Sequence, residues 1–253
     1  MSERVLVCAM SAACDERART IAGRVGGVLV APGDVGADAL VLRVDRDGLT
    51  LAGDGMELRP DLTRMMPRVR PGALSRELLV RAVRVRGVDR PRAVDATAGL
   101  GEDSLLLAAA GFEVELFERD PVIAVLLEDA VARAREDAGL ASIALRMHVH
   151  AGDSAEALAR MGECDDGPDV VYLDPMFPGR TKSAAVKKKF QLLHHLEHPC
   201  DDEEALMTAA LAARPRKIVV KRPVKGPYLA GVKPSHSVAG KAVRYDCIVV
   251  PRA

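Results

Sequence analysis

The stretch Ala93-Val94-Asp95-Ala96-Thr97-Ala98-Gly99-Leu100-Gly101-Glu102-Asp103-Ser104-Leu105-Leu106-Leu107-Ala108-Ala109-Ala110-Gly111-Phe112-Glu113-Val114-Glu115-Leu116-Phe117-Glu118 decides the fold. A short apolar run meets a glycine turn, a helical run follows, and a second run with alternating apolar residues begins at Glu113. That order is the strand, helix, strand unit of a parallel sheet. The alternation continues toward the C-terminus, with further strands expected at 147–150, 169–173, 217–221 and 245–250. Helices are expected at about 103–110, 121–137, 154–161, 183–197 and 202–213. The pattern predicts an α/β fold with a doubly wound, mostly parallel sheet and helices on both faces. Ligands of such sheets bind at the carboxyl ends of the strands, near the point where strand order reverses, so the chemistry is sought just after each strand.

Toward the N-terminus, residues 1–60 predict a small α+β appendage. It comprises an apolar run at Val5–Ala9, a helix from Asp15 to Val25, and a hairpin in which Ala39–Val44 turns through Asp45-Arg46-Asp47-Gly48 into Leu49-Thr50-Leu51. Residues 61–91 form a basic linker with an amphipathic helix expected at Ser75–Arg86, and residues 92–253 form the main domain. The whole chain of 253 residues is 49% hydrophobic and 28% charged, enough apolar material for a sizeable core and too much for a disordered chain. No run approaches the roughly 18 apolar residues of a membrane span, and no secretory leader is evident. A cytoplasmic protein with no membrane partner is expected. The five cysteines are scattered and never spaced as Cys-x-x-Cys, which argues against a disulfide framework or a structural zinc site.

Lysine plus arginine and aspartate plus glutamate each total 36, which excludes a wholly basic nucleic-acid binder. The charges are nonetheless segregated. Residues 95–170 carry 17 acids and 5 bases, whereas residues 205–245 carry 9 bases and no acid. The basic segments could form a surface for an anionic partner, or could pair with the acidic segment across the fold.

The glycine turn lets a ligand approach the backbone closely. A dinucleotide fingerprint wants a third small residue after Gly99-x-Gly101, and Glu102 and Asp103 beside a pyrophosphate would repel it. S-adenosylmethionine has no phosphate and carries a cationic methionine end that Asp95 and Asp103 suit. Glu118, nineteen residues after Gly99 at the end of the second strand, is placed to accept hydrogen bonds from ribose hydroxyls. Asp153, beside Ser154 after the third strand, could lie near the adenine amine or simply cap a helix.

The fourth strand runs into Asp174-Pro175-Met176-Phe177-Pro178. An exocyclic amine on a base is a poor nucleophile, because its lone pair is delocalised into the ring. A catalyst for its methylation would hold the nitrogen with acceptors and stack the base on an aromatic ring. Asp174, the carbonyl of Pro175 and the ring of Phe177 supply those parts in sequence order, and Asp174 would stabilise the positive charge developing on nitrogen. Arg180, Lys182, Lys187, Lys188 and Lys189 follow this corner, and Lys221 and Arg222 follow the fifth strand. All seven are candidate contacts to RNA phosphates. His194 and His198 share a helix face near Cys200, but no further ligand pattern supports a metal, and none is expected.

Asp95–Asp103, Glu118-Arg119, Tyr172–Pro178, Lys182-Ser183 with Val186-Lys187-Lys188, and Val220-Lys221-Arg222-Pro223 together resemble the ribosomal RNA small-subunit methyltransferase J family. The resemblance runs from about Arg92 to the C-terminus, and the first sixty residues align only loosely. It implies a Rossmann-like methyltransferase that uses S-adenosylmethionine to methylate a guanine N2 of 16S ribosomal RNA, free or in the small ribosomal subunit. It also implies that Glu102, Asp103, Glu118, Arg119, Asp174 and the Asp153-Ser154 neighbourhood contact the cofactor, with Asp174 also facing the acceptor amine. Methylation of an adenine N6 or another planar amine, a nicotinamide-dependent oxidoreductase and a non-catalytic RNA-binding protein are the alternatives. The sequence assigns no oligomeric state.

Overall fold

The computed structural model describes residues 4–36, 39–163, 167–175, 192 and 202–251. Two sheets organise them. The larger has seven strands: β6 (Arg92–Asp95), β7 (Glu113–Glu118), β8 (Met147–Ala151), β9 (Val170–Leu173), β10 (Lys217–Pro223), β11 (His236–Ala239) and β12 (Val243–Val249). Their order is β11-β12-β10-β9-β6-β7-β8, with β6 to β10 mutually parallel and β12 antiparallel to both β10 and β11. Strand order reverses at β6, whose neighbours are β7 on one side and β9 on the other. This is the doubly wound arrangement expected, with one strand more. Edge strand β11 was not anticipated, because His236-Ser237-Val238-Ala239 has little apolar alternation and is mostly exposed.

Alternation along the strands divides the core into two layers. Ala93, Val170, Tyr172 and Val219 point to one face and pack on α4 (Leu78–Val83) and α5 (Glu102–Ala109), with α7 (Ala141–Ala144) against α5. Val94, Val171, Leu173, Ile218 and Val220 point to the other, against α8 (Ser154–Gly162) and α9 (Glu203–Ala212). Helix α6 (Pro121–Glu136) starts where Asp120 accepts hydrogen bonds from the amides of Val122 and Ile123, both at 2.9 Å, with Pro121 at the first helical position.

The smaller sheet, ordered β2-β1-β3-β4-β5, comprises β1 (Leu6–Ala9), β2 (Val28–Val30), β3 (Val41–Asp45), β4 (Gly48–Gly53) and β5 (Met56–Leu58). Helix α1 (Asp15–Val25) ends at Gly26 in the left-handed region, φ 62°. Helix α6 lies between the sheets. Its Val122, Ile123, Val125 and Leu126 pack with the smaller sheet, and its Leu127, Ala130, Val131 and Ala134 with the larger. The buried Asp129 of α6 is the polar clasp of that junction, accepting from Arg17 at 2.6 Å, Arg133 at 2.9 Å and the Leu49 amide at 3.1 Å.

The linker departs from expectation. The helix expected at Ser75–Arg86 is present but shorter, as α4, starting only after Glu77, which is extended at φ −62° and ψ 127°, and two short helices, α2 (Met66–Val69) and α3 (Pro71–Leu74), precede it. Arg68 holds both Glu77 carboxylate oxygens, at 2.7 and 2.8 Å, which fixes the break. Much of the basic C-terminal segment pairs inward, through Arg216 to Asp169, Lys221 to Asp103 and Asp174, Arg222 to Glu203 and Arg244 to Asp246.

Candidate active site

The loop after β6 is tied to both neighbouring strands at the switch point. Ala96 donates to the Tyr172 carbonyl at 3.0 Å and Ala98 to the Phe117 carbonyl at 3.0 Å. The Asp174 amide donates to Thr97 Oγ1 at 2.7 Å. The loop, the end of β7 and the start of the Asp174-Pro175 corner therefore form one stitched rim.

Gly99 and Gly101 both have positive φ, +54° and +79°. A side chain at Gly101 would also meet Leu127 Cδ1 at 2.6 Å, so this glycine packs α5 onto α6. At Gly99 a Cβ would meet nothing within 4 Å, which leaves the backbone open to an approaching ligand. The Gly99 amide donates to Glu118 Oε2 at 2.9 Å, and the Asp120 amide donates to Oε1 at 2.9 Å. Two amides thus fix the plane of the Glu118 carboxylate. Burial pushes this carboxyl above the ordinary glutamate range, with the two amides working against it.

Asp95 is buried beneath the loop, accepting from Ser104 Oγ at 2.6 Å and the Thr97 amide at 3.1 Å. Burial pushes its pKa up to about 7. It holds the loop from below, and the expectation that it meets a cationic ligand directly is corrected: its carboxylate is 1% exposed and already engaged. Asp103, in the first turn of α5, accepts from Lys221 Nζ at 2.6 Å and from the Tyr172 hydroxyl at 2.7 Å. Burial would raise its pKa, but the Lys221 charge and these hydrogen bonds outweigh it and hold the carboxyl below the ordinary range. Lys221 Nζ also lies 2.8 Å from Asp174 Oδ2. Asp174 and Pro175 follow β9 directly, so the acid and the rigid turn stand on the carboxyl rim as expected.

Glu102 and Arg119 are exposed on the same rim, at the start of α5 and the end of β7. Asp153 caps α8, accepting from the Ala155 amide at 2.7 Å, and Ser154 is buried behind it. Phe117 stacks on His150 with ring centroids 4.8 Å apart, giving that side of the rim an aromatic face. Lys221 and Arg222 require a correction as phosphate contacts. Successive strand residues face opposite ways, so Lys221 turns to Asp103 while Arg222, its side chain 0% exposed, turns to Glu203 at 3.2 Å. Phe177, Arg180, Lys182, Lys187, Lys188, Lys189, His194, His198 and Cys200 lie outside the described residues. Thr97, Ser104 and Tyr172 were missed by sequence reasoning. Tyr172 alone carried a signal, as the one aromatic residue of an aliphatic strand.

The family described as "Putative SAM-dependent methyltransferase" matches residues 38–250. Ribosomal RNA small subunit methyltransferase J of Pseudomonas aeruginosa is 43% identical over 249 residues, covering 96% of this chain and 94% of the relative. The protein of the same name from Thioalkalivibrio sulfidiphilus is 42% identical over 240 residues, covering 92% and 93%.

The chain belongs to the ribosomal RNA small subunit methyltransferase J family.

A crystal structure of a SAM-dependent methyltransferase from Neisseria gonorrhoeae superposes with a TM-score of 0.76 at 30% identity, covering 98% of this chain and 97% of that one. Similarity to the methyltransferase J family therefore extends over the N-terminal sheet, beyond the stretch from Arg92 that the motifs had covered. S-adenosylmethionine is the cofactor of this methyltransferase, and the rim fits it. The open backbone at Gly99, the amide-fixed carboxylate of Glu118 and the absence of a third glycine suit a nucleoside without phosphates.

Proposed function

We propose that this methyltransferase modifies the exocyclic N2 of a guanine in 16S ribosomal RNA of the small subunit. One observation carries the reading. The acid of the Asp174-Pro175 corner stands across the stitched loop from the Gly99–Glu118 pair, so an acceptor held by Asp174 faces a nucleoside held by Glu118. When bound, the cofactor supplies an electrophilic methyl group on a sulfonium. Glu118 takes the ribose hydroxyls. Glu102, Asp103, Arg119 and the Asp153-Ser154 cap line the rest of the cofactor rim, and Asp95 braces the loop from beneath. Asp174 and the Pro175 carbonyl accept hydrogen bonds from the amine and draw its nitrogen into line, and stacking of the base is assigned to Phe177. As the nitrogen–carbon bond would form and the methyl–sulfur bond break to leave a neutral thioether, positive charge would grow on nitrogen, and the Asp174 carboxylate stabilises it until the surplus proton is lost to solvent.

Arg180, Lys182, Lys187, Lys188 and Lys189 are assigned to the phosphates of the incoming strand. On the same reading, residues 1–60 form a subdomain joined by the linker 61–91 to the catalytic domain 92–253. Mass analysis of nucleosides from 16S ribosomal RNA treated with the enzyme tests the acceptor. N2-methylguanosine is the expected product; N6-methyladenosine without it would overturn the guanine assignment.

A further inference from the structure

We propose that Lys221 is a positioning residue for the methyl transfer, which holds the Asp174 carboxylate aimed at the amine, and that Asp103 with Tyr172 is the anchor holding Lys221 in place. The inference rests on the reading of Asp174 as the acceptor-facing acid. Lys221 leaves the end of β10 with its side chain 18% exposed, and its ammonium touches two acids from different elements. Asp103 comes from α5 at 2.6 Å and Asp174 from the end of β9 at 2.8 Å. The Tyr172 hydroxyl, 2.7 Å from the same Asp103 oxygen, completes the anchor from the middle of the site. An ammonium has three donors in a fixed tetrahedral array, so two carboxylates bound to it are held at a set angle. With Oδ2 of Asp174 committed to Lys221, the incoming amine is assigned to Oδ1.

The surrounding charges give the arrangement its purpose. Facing Asp174 are Asp103 of α5, Asp95 of β6, Tyr172 of β9, Lys221 of β10 and Tyr245 of β12, and Arg68 stands beside Asp103. Burial would weaken the Lys221 ammonium, but Asp103 and Asp174 outweigh it and hold the lysine well above its ordinary range. Without this cation, Asp174 would face the neighbouring acids with nothing to hold its carboxylate at that angle. An acceptor free to turn away leaves the amine without its hold. The same cluster counts two anions to one cation, which repels phosphate and argues against Lys221 as an RNA contact.

The test compares the wild type with Lys221→Gln and Lys221→Arg as full-length chains. It measures kcat and KM on 16S ribosomal RNA, and separately the salt slope of RNA binding without turnover. In Lys221→Gln kcat should fall at least about tenfold, with KM for RNA and the salt slope unchanged. Lys221→Arg keeps a cation able to reach both carboxylates, and so should recover most of kcat. An unchanged kcat in Lys221→Gln, with KM raised and the salt slope of RNA binding reduced by about one, would make Lys221 a phosphate contact and overturn the proposal. A kcat in Lys221→Arg as low as in Lys221→Gln would overturn it also, and needs only that variant to fold. A wild type that methylates no small-subunit RNA refutes the functional reading, whereas an active wild type with kcat intact in Lys221→Gln refutes the lysine.

Discussion

The two sides of the cleft hold their acids by different means. On the cofactor side, Glu118 is gripped by the amides of Gly99 and Asp120, nineteen and two residues away in the chain. On the acceptor side, Asp174 is gripped by the side chain of Lys221, which is itself tied to Asp103 of the cofactor rim, 118 residues away, with Tyr172 on the same Asp103 oxygen. A backbone amide carries no titratable charge and survives every substitution but proline, so the first arrangement gives a fixed cradle for a cofactor that every cycle shares. A side-chain ion cluster responds to charge, which suits the side where charge develops during the reaction.

The largest expected effect breaks the acceptor side. Asp174→Ala leaves Lys221 paired with Asp103 and so should fold, yet it removes the group set to stabilise the developing positive charge. Turnover should fall by about a hundredfold or more, with a much smaller change in cofactor affinity measured by calorimetry. Loss confined to cofactor affinity, with kcat intact, would show that the two sides are not divided as described.

The next effect tests the cofactor side. Glu118→Gln replaces one carboxylate oxygen with an NH2, which meets a backbone N–H head-on and leaves that buried donor without an acceptor. A cost of about 1–3 kcal/mol is usual for such a group. The dissociation constant for S-adenosylmethionine should rise about tenfold or more, while kcat at saturating cofactor changes little. If kcat falls and affinity is kept, Glu118 belongs to the reacting side.

The same contrast explains what could be read from the amino-acid sequence. Six of the seven strands of the large sheet, the Gly99 turn and Glu118 were legible because each depends on local alternation or on a spacing within one βαβ unit. Asp174-Pro175 was legible because it follows its strand directly. The lysine cluster was not, since it is made by three elements whose meeting depends on the order of strands in the sheet. Lys221 and Arg222 read as one basic pair until strand geometry sends them to opposite layers. The linker helix was legible but its start was not, for a related reason: Arg68 claims Glu77 across the turn, a preference that residue-by-residue periodicity does not contain. Asp95 was found at the right edge and given the wrong neighbour, because burial beneath a loop leaves no mark in a motif.

That misplaced acid supplies the smallest and most diagnostic test of the amide-held side. Asp95 is buried, and its pKa is pushed up to about 7, so the folded protein binds a proton there that the unfolded chain, with an ordinary aspartate near 3.8, releases. Between those two values the native state carries more protons than the unfolded one, and stability from this residue falls as pH rises through that window, then stays level above it. Asp95→Asn keeps an oxygen for the Thr97 amide and can donate to Ser104 Oγ, but it has no charge to bury. The melting temperature of the variant relative to wild type should therefore climb from about pH 4 to about pH 7 and then flatten. A difference that is constant with pH would mean that the loop is braced by a carboxylate charged throughout. A difference that falls with rising pH would mean that the ionised form is favoured by a cation close to it, which would make the two sides of the cleft alike.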